Sequence, residues 1–229
     1  MPQPSQLHLG CGDFAPDGWL NSDGSWHVKL ARWPRIKRLA VWGGLLPRIH
    51  LQHPWPAHIL SLDVRHPLPF PEHTLTAVYA SHVLEHLYRT EALALLRELH
   101  RCCRPGAVVR MAVPHLAHYI ADYQRGWIDP HAPGHSPADT LLHRLHLRPE
   151  SPPDHGSLLR TLYHLLLDFN SHKWLYDRDS LLELFQTAGF PHPEERAILD
   201  SRIPAIDRIE RADRIGGGGT LIVEAVKPG

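Results

Sequence analysis

Asparagine is almost missing from this 229-residue sequence, at positions 21 and 170 only, and 20 of its 24 basic residues are arginine. That bias is read as the mark of a GC-rich coding sequence and is given no functional weight. Cysteine is as scarce. Three of them, Cys11, Cys102 and Cys103, cannot build a disulfide framework, and adjacent cysteines seldom bridge each other, so a reducing compartment is expected. No apolar run approaches the roughly 20 residues of a bilayer span, and residues 1–6 have neither a cationic start nor an apolar stretch. The expectation is a cytoplasmic protein with no membrane span. Charge of one sign is not in excess either: 24 Lys+Arg face 24 Asp+Glu. That balance argues against a nucleic-acid partner, which is held by neutralising phosphates.

What is present is apolar mass and histidine. Hydrophobic residues at 43% and charged residues at 21% exclude disorder as the main state, and the length suits one large α/β domain over residues 1–229. The 20 histidines are the feature to explain. About a quarter of unperturbed imidazoles are protonated at pH 7.

Periodicity organises the chain. Gln6-Leu7-His8-Leu9 reads as a buried strand stopped by Gly10-Cys11-Gly12. Further strands are expected at 19–22 before Asp23, at 59–62 before Asp63, and at 77–80. Residues 27–50 are loosely helical, broken by Pro34 and Pro47. Residues 90–103 form the clearest helix, with Thr90 as cap and Ala92, Leu95, Leu96, Leu99 and Cys103 on one face. Pro105-Gly106 ends it, and a strand follows at 108–113. Strand, helix, strand in this order predicts a doubly wound, mostly parallel sheet of Rossmann-like type with helices on its faces. From His115 to about Gly156 the strand rhythm stops, which predicts an inserted lid or cap over 115–175. The rhythm returns with a helix at 179–188 capped by Gly189, then strands at 196–200 and 220–226. The run Gly216 to Gly219 is expected to be a loop, since no helix follows it to cradle a phosphate.

The polar residues fall at the carboxyl edge of this sheet, where open α/β folds bind ligands: Gly10, Cys11 and Gly12 after the first strand, Asp23 after the second, Asp63 after the third, and His82 to His86 after the fourth. A glycine turn lets backbone approach a nucleotide-like ligand, and strand-end carboxylates accept from ribose hydroxyls or an adenine amine. The segment His82-Val83-Leu84-Glu85-His86 also spells H-x-x-E-H, the pattern of zinc peptidases with two histidines one helical turn apart. That would make the chain a zinc hydrolase using His82, Glu85 and His86. Its position directly after a strand of this series speaks against metal, and no metal ligand is assigned. Cys102 and Cys103 are expected to be structural.

In order along the chain, Leu7-His8-Leu9-Gly10-Cys11-Gly12, Leu62-Asp63-Val64 with Pro67-Leu68-Pro69-Phe70, Val78 to Leu87, Arg104-Pro105-Gly106 and Ala188-Gly189-Phe190 resemble class I S-adenosylmethionine-dependent methyltransferases. Within that class the chain resembles a compact, type 11-like subgroup with a shortened first βα unit, because Asp23 follows the glycine turn so closely. His172-Lys173-Trp174-Leu175-Tyr176-Asp177 resembles the same subgroup, many of whose members are similar to saccharide- or natural-product-tailoring enzymes. Two departures are Thr76 and His115, where many relatives carry aspartate.

The resemblance implies S-adenosylmethionine as cofactor and S-adenosylhomocysteine as product. It implies that Gly10, Cys11 and Gly12 approach the amino-acid part, Asp23 the ribose, and Asp63 with Val64 the adenine, with Ser81 and His82 completing the cofactor set. Methyl transfer to a small-molecule or saccharide-like acceptor, at oxygen, is the function implied. A hydroxyl acceptor benefits from a general base, for which His86, His115 and His172 are the candidates. Tyr119, Trp174 and Tyr176 are the candidate acceptor-binding aromatics. A scaffold that binds the cofactor without catalysis is the alternative within the same fold.

Overall fold

The computed structural model describes residues 5–31, 33–42, 55–130, 136–146, 171–215 and 219–229. Seven strands form one sheet: β1 (Gln6–Leu9), β2 (Leu20–Asp23), β3 (Leu60–Ser61), β4 (Leu75–Ser81), β5 (Cys103–Pro114), β6 (Glu194–Glu195) and β7 (Thr220–Val226). They lie in the order β3-β2-β1-β4-β5-β7-β6. The pairs from β3 through β5 are parallel, whereas β7 runs antiparallel to both β5 and β6. This is the Rossmann-like, mostly parallel arrangement expected. Its four leading strands all end on one edge.

The helices described are α1 (Trp26–Ala31), α2 (Pro34–Trp42), α3 (Arg89–Cys102), α4 (Leu116–Gln124), α5 (Pro137–Arg144), α6 (Arg178–Thr187) and α7 (Ala212–Ile215). The helical stretch is divided at Pro34 as expected: α1 ends at Ala31 and Pro34 starts α2, where its missing N–H is an unpaired donor at a first helical position anyway. Residues 43–50, including Pro47, lie outside the described residues, as do Gly216 to Gly218. Among the described residues no helix is long and apolar enough to cross a membrane.

Four expectations about boundaries are corrected. The clearest helix starts at Arg89, with the Tyr88 N–H donating to Glu91 Oε2 at 2.9 Å, so Thr90 lies inside it and does not cap. Cys102, not Cys103, completes its buried face, while Cys103 opens β5. Pro105-Gly106 is an excursion inside that strand, where Gly106 takes φ +81° and the register with β4 shifts. The strand expected at 196–200 is the two-residue β6 instead, because Leu199 at φ +61° and the Asp200 N–H to Ala197 carbonyl bond turn the chain.

Both sheet faces are buried. On one, α3 (Leu95, Leu96, Leu99) and α6 (Leu181, Leu184, Phe185) pack on Leu7, Leu9, Val78, Val109 and Val223. On the other, no helix fits between β1 and β2. The linking residues 10–19 are held as a tight loop by Asn21 Nδ2, which donates to the carbonyls of Pro16 (2.9 Å) and Trp19 (3.2 Å). That face is covered from the far end of the chain by Ile203, Ile206 and Ile209, packed with Trp19, Ala77, Tyr79 and Val108. Arg110 of β5 fastens this cover. Its guanidinium, fully buried, donates to Glu210 (2.8 and 2.7 Å), to Glu224 (3.3 Å) and to the carbonyls of Ala197 and Asp200.

Within 115–175 the described residues include two helices, α4 and α5. Asp122, 7% exposed, accepts from Arg144 at 2.6 Å and also pairs with Arg125, and Arg144 lies over the rings of Tyr119 (4.4 Å) and Trp127 (4.9 Å). These contacts make α4 and α5 one packed unit beside the sheet edge.

Candidate cofactor and acceptor site

The glycine turn after β1 is required by sterics. Gly10 takes φ +63°, and a β-carbon there would stand 2.4 Å from Val83 Cγ2. Gly12, at φ +61°, donates its N–H to Asp23 Oδ2 at 3.0 Å, and Asp23 Oδ1 accepts from Ser25 N–H at 2.7 Å. Both carboxylate oxygens keep further lone pairs. Cys11 is buried against Val28 and Ile59, and its thiol reaches the Gly12 carbonyl at 3.3 Å, so its side chain faces away from the turn. Asp63 stands one strand further out, on the loop after β3, which the Leu62 N–H ties to the Asp23 carbonyl at 3.1 Å. Arg65 donates to Asp63 at 2.9 and 2.6 Å and holds its carboxyl below the usual range. Val64 packs half-buried against the main core.

Between the ends of β1 and β4 lies a cleft of about 270 Å³. Gly10, Ser81 and His82 line it, all three expected from the sequence. So do His8, Phe14 and Tyr79, together with Ile209 and Arg211 from the covering segment. Ser81 Oγ is buried there with no hydrogen-bond partner among the described residues. A turn in which only glycine fits, a strand-end carboxylate beside it and an orphaned hydroxyl in the wall are features that suit S-adenosylmethionine. No local pattern marks Ile209 or Arg211, which arrive from some 200 positions beyond β1.

After β4 the chain turns sharply. His82 takes φ +56°, its N–H donates to the Ala112 carbonyl at 2.9 Å, and its Nδ1 meets Glu85 Oε1 at 2.8 Å. Glu85 and His86 lie in a short 3₁₀ turn (Leu84–His86). The α-helix that the H-x-x-E-H peptidase pattern needs is therefore absent, and His82 is a partner of Glu85 rather than of an ion beside it. Glu85 itself is 0% exposed. Its carbonyl accepts from the N–H groups of Lys173 (2.7 Å) and Trp174 (3.2 Å), which docks the 171–174 segment on this turn.

That docking gathers imidazoles. The ring of His86 lies 5.1 Å from that of His172, which lies 5.3 Å from that of His146. His86 Nδ1 faces the Ser171 carbonyl at 3.4 Å. Burial pushes the His172 imidazole down to about 4, against the pull of the Glu85 carboxylate. It is therefore neutral at pH 7, and a weaker base than an imidazole tuned near neutrality. His115, the third expected base, lies at the end of β5, where its N–H donates to the Gly219 carbonyl and it bridges to the Tyr176 backbone.

The acceptor-side aromatics separate. Trp174 is 40% exposed, with Arg89 5.8 Å over its ring. Tyr119 is packed under Arg144, and burial raises its phenol above the ordinary range. Tyr176, expected to face the acceptor, is 1% exposed inside the main core, and burial raises its phenol too. The backbone bridge to His115 at the end of β5 carries Tyr176 into the core, whereas Trp174 stays partly exposed. Cys102 and Cys103 are fully buried, with the Cys103 thiol pushed up to about 12 by burial, as suits the structural role expected of them.

Residues 7–111, somewhat under half of the chain, match the profile of the family described as methyltransferase domain, type 11. This stretch, from β1 to the middle of β5, is similar to the methyltransferase domain of that family. No curated protein matches this chain. Among solved structures, a chain of the complex between the Haloferax volcanii Trm112 methyltransferase activator and a methyltransferase is 15% identical, with 98% of this chain and 82% of that chain covered and a TM-score of 0.48. A SAM-dependent methyltransferase from Thermotoga maritima is 11% identical over 99% and 84% of the two chains, with a TM-score of 0.46. PigF with SAH is 13% identical, with 98% of this chain and 50% of that chain covered and a TM-score of 0.47. Likenesses this distant say nothing of the acceptor of the methyltransferase.

Proposed function

We propose that the protein transfers a methyl group from S-adenosylmethionine to a hydroxyl of a small-molecule or saccharide-like acceptor. The observation that carries this reading is the convergence at one sheet edge: Gly10, in the turn that Gly12 ties to Asp23, lines the cleft between β1 and β4, and Glu85 and His86, directly after β4, meet His172. The cofactor supplies a methyl group already activated on a sulfonium.

What remains for the chain is to bind, align and exclude water. Gly10 and Gly12 hold the amino-acid end through backbone, Asp23 accepts from the ribose, and Asp63 with Val64 borders the adenine. Cys11 contributes backbone only. On the acceptor side, the Ser171 carbonyl keeps the proton of His86 on Nδ1, which leaves Nε2 to accept the proton of a hydroxyl. His86 fits this task better than His172, whose buried imidazole is a weaker base. His115 is the other base candidate. Trp174 offers a partly exposed ring on which a sugar or aromatic acceptor stacks. The α4–α5 unit, with its tie to His172 through the His146 carbonyl, serves as the lid that shields this side.

The test is a screen with methyl-labelled cofactor against hydroxyl-bearing saccharides and phenolic or other small natural products. Label recovered on oxygen supports the reading. Tight cofactor binding without transfer to any acceptor class identifies a scaffold instead.

A further inference from the structure

The methyltransferase reading uses Glu85 only as a packed neighbour, yet this carboxylate is fully buried and half unused. Its Oε1 is held by His82 Nδ1 at 2.8 Å, while Oε2 is buried with no hydrogen-bond partner among the described residues. A buried carboxylate oxygen left without a donor is costly, since desolvation is not repaid. One atom each of Glu85, His86 and His172 lie within 4.8 Å of one another. His172 Nδ1 is a second buried polar atom with no hydrogen-bond partner among the described residues.

We propose that Glu85, His86 and His172 bind one divalent transition ion of the zinc class. The donor set is one carboxylate and two imidazoles, which matches three-ligand sites that leave a coordination position open. Ligand atoms about 2.1 Å from a tetrahedral ion stand roughly 3.4 Å apart, so the observed spread closes by small side-chain rotations. Outer contacts are already in place. His82 orients the carboxylate through Oε1, and the Ser171 carbonyl holds a proton on His86 Nδ1, which presents Nε2 to the ion. The elements concerned are brought together by backbone bonds from Lys173 and Trp174 to Glu85, so the site depends on the docking of residues 171–174 and not on one helix face. This set differs from the H-x-x-E-H pattern: His82 moves to the outer layer and His172 takes its place.

The ion would stand beside the cofactor cleft, where an open position suits the oxygen of an acceptor. In that form His86 is a ligand and not a base. The meaning of the site for catalysis rests on the methyltransferase reading, but its existence does not.

Untagged protein, stripped with chelator and free of cofactor and acceptor, is titrated with Zn²⁺ against a chromophoric competitor and with Co²⁺ by absorption. One ion per chain is expected, with an intense visible Co²⁺ band of low coordination number. His86→Ala and His172→Ala are each expected to weaken binding by more than about 100-fold, and His82→Ala by about 10-fold. The exposed surface variant His192→Ala leaves affinity unchanged, and Mg²⁺ does not compete. Zn²⁺ raises the melting temperature of the parent and not of the ligand variants. The melt also reports whether each variant folds, and His172→Gln replaces His172→Ala if the latter does not. Absence of stoichiometric binding, or equal affinity in parent and ligand variants, overturns the proposal. Failure of cofactor binding alongside an intact ion site would count against the methyltransferase reading and not against the site.

Discussion

Gly10 and Val83 are in contact so close that a β-carbon on the first would stand 2.4 Å from Cγ2 of the second. The turn that lines the cleft between β1 and β4 is thus built against the turn that follows β4. Gly10→Ala combines this overlap with a left-handed backbone at φ +63°, and is expected to destabilise by about 2–4 kcal/mol. In a Val83→Ala background the overlap is relieved and only the backbone strain, about 1–2 kcal/mol, remains. Urea denaturation of the two single variants and the double variant measures the coupling directly. Additive losses would show that the two turns do not touch.

The buried Arg110, Glu210 and Glu224 group clasps the covering segment to the sheet. Arg110→Ala leaves two carboxylates buried without their cation, and is expected to cost about 3–5 kcal/mol. The triple variant Arg110→Met, Glu210→Leu, Glu224→Leu recovers only part of that. Glu210 also accepts from the Leu199 N–H and Glu224 from the Arg202 N–H, which would be stranded. Equilibrium unfolding checks both statements, and a near-neutral Arg110→Ala would contradict them.

How much of this was legible beforehand varies with range along the chain. The parallel strands and their polar ends were readable, because short apolar runs closed by glycine or aspartate mark both the strand and its carboxyl edge. Thr90 does not cap because the helix starts one residue earlier, where the Tyr88 N–H donates to the Glu91 carboxylate, a geometry that propensity does not contain. Tyr176 reads as an acceptor-binding aromatic because local sequence does not show its bridge to His115, a long-range contact that seats it in the core. The meeting of His172 with Glu85 and His86, and of Ile209 and Arg211 with the cleft, depends on contacts between distant segments. A local pattern carries no trace of them.

A pH effect follows from His100, whose ring packs edge-on against Phe190 at 5.1 Å. Burial, then the nearby Lys227 ammonium, holds its imidazole below the ordinary 6.5. The folded chain resists a proton that the unfolded chain takes up, so this contribution to stability is whole above about pH 6.5 and declines as pH falls below it. His100→Phe is expected to flatten that part of the stability profile. Denaturation at pH 8, 6.5 and 5.5 in parent and variant measures it, and an unchanged slope would contradict the assignment.

The account turns on whether the Gly12–Asp23 edge holds the cofactor. Calorimetric titration of S-adenosylhomocysteine into the parent, Asp23→Asn and Asp23→Ala is the direct measurement. Binding of the parent tighter than about 1 mM is expected, with losses of about 10–100-fold in Asp23→Ala and less in Asp23→Asn, in line with the removal of a charge-assisted acceptor. No binding to the folded parent, or equal binding by all three proteins, would contradict it.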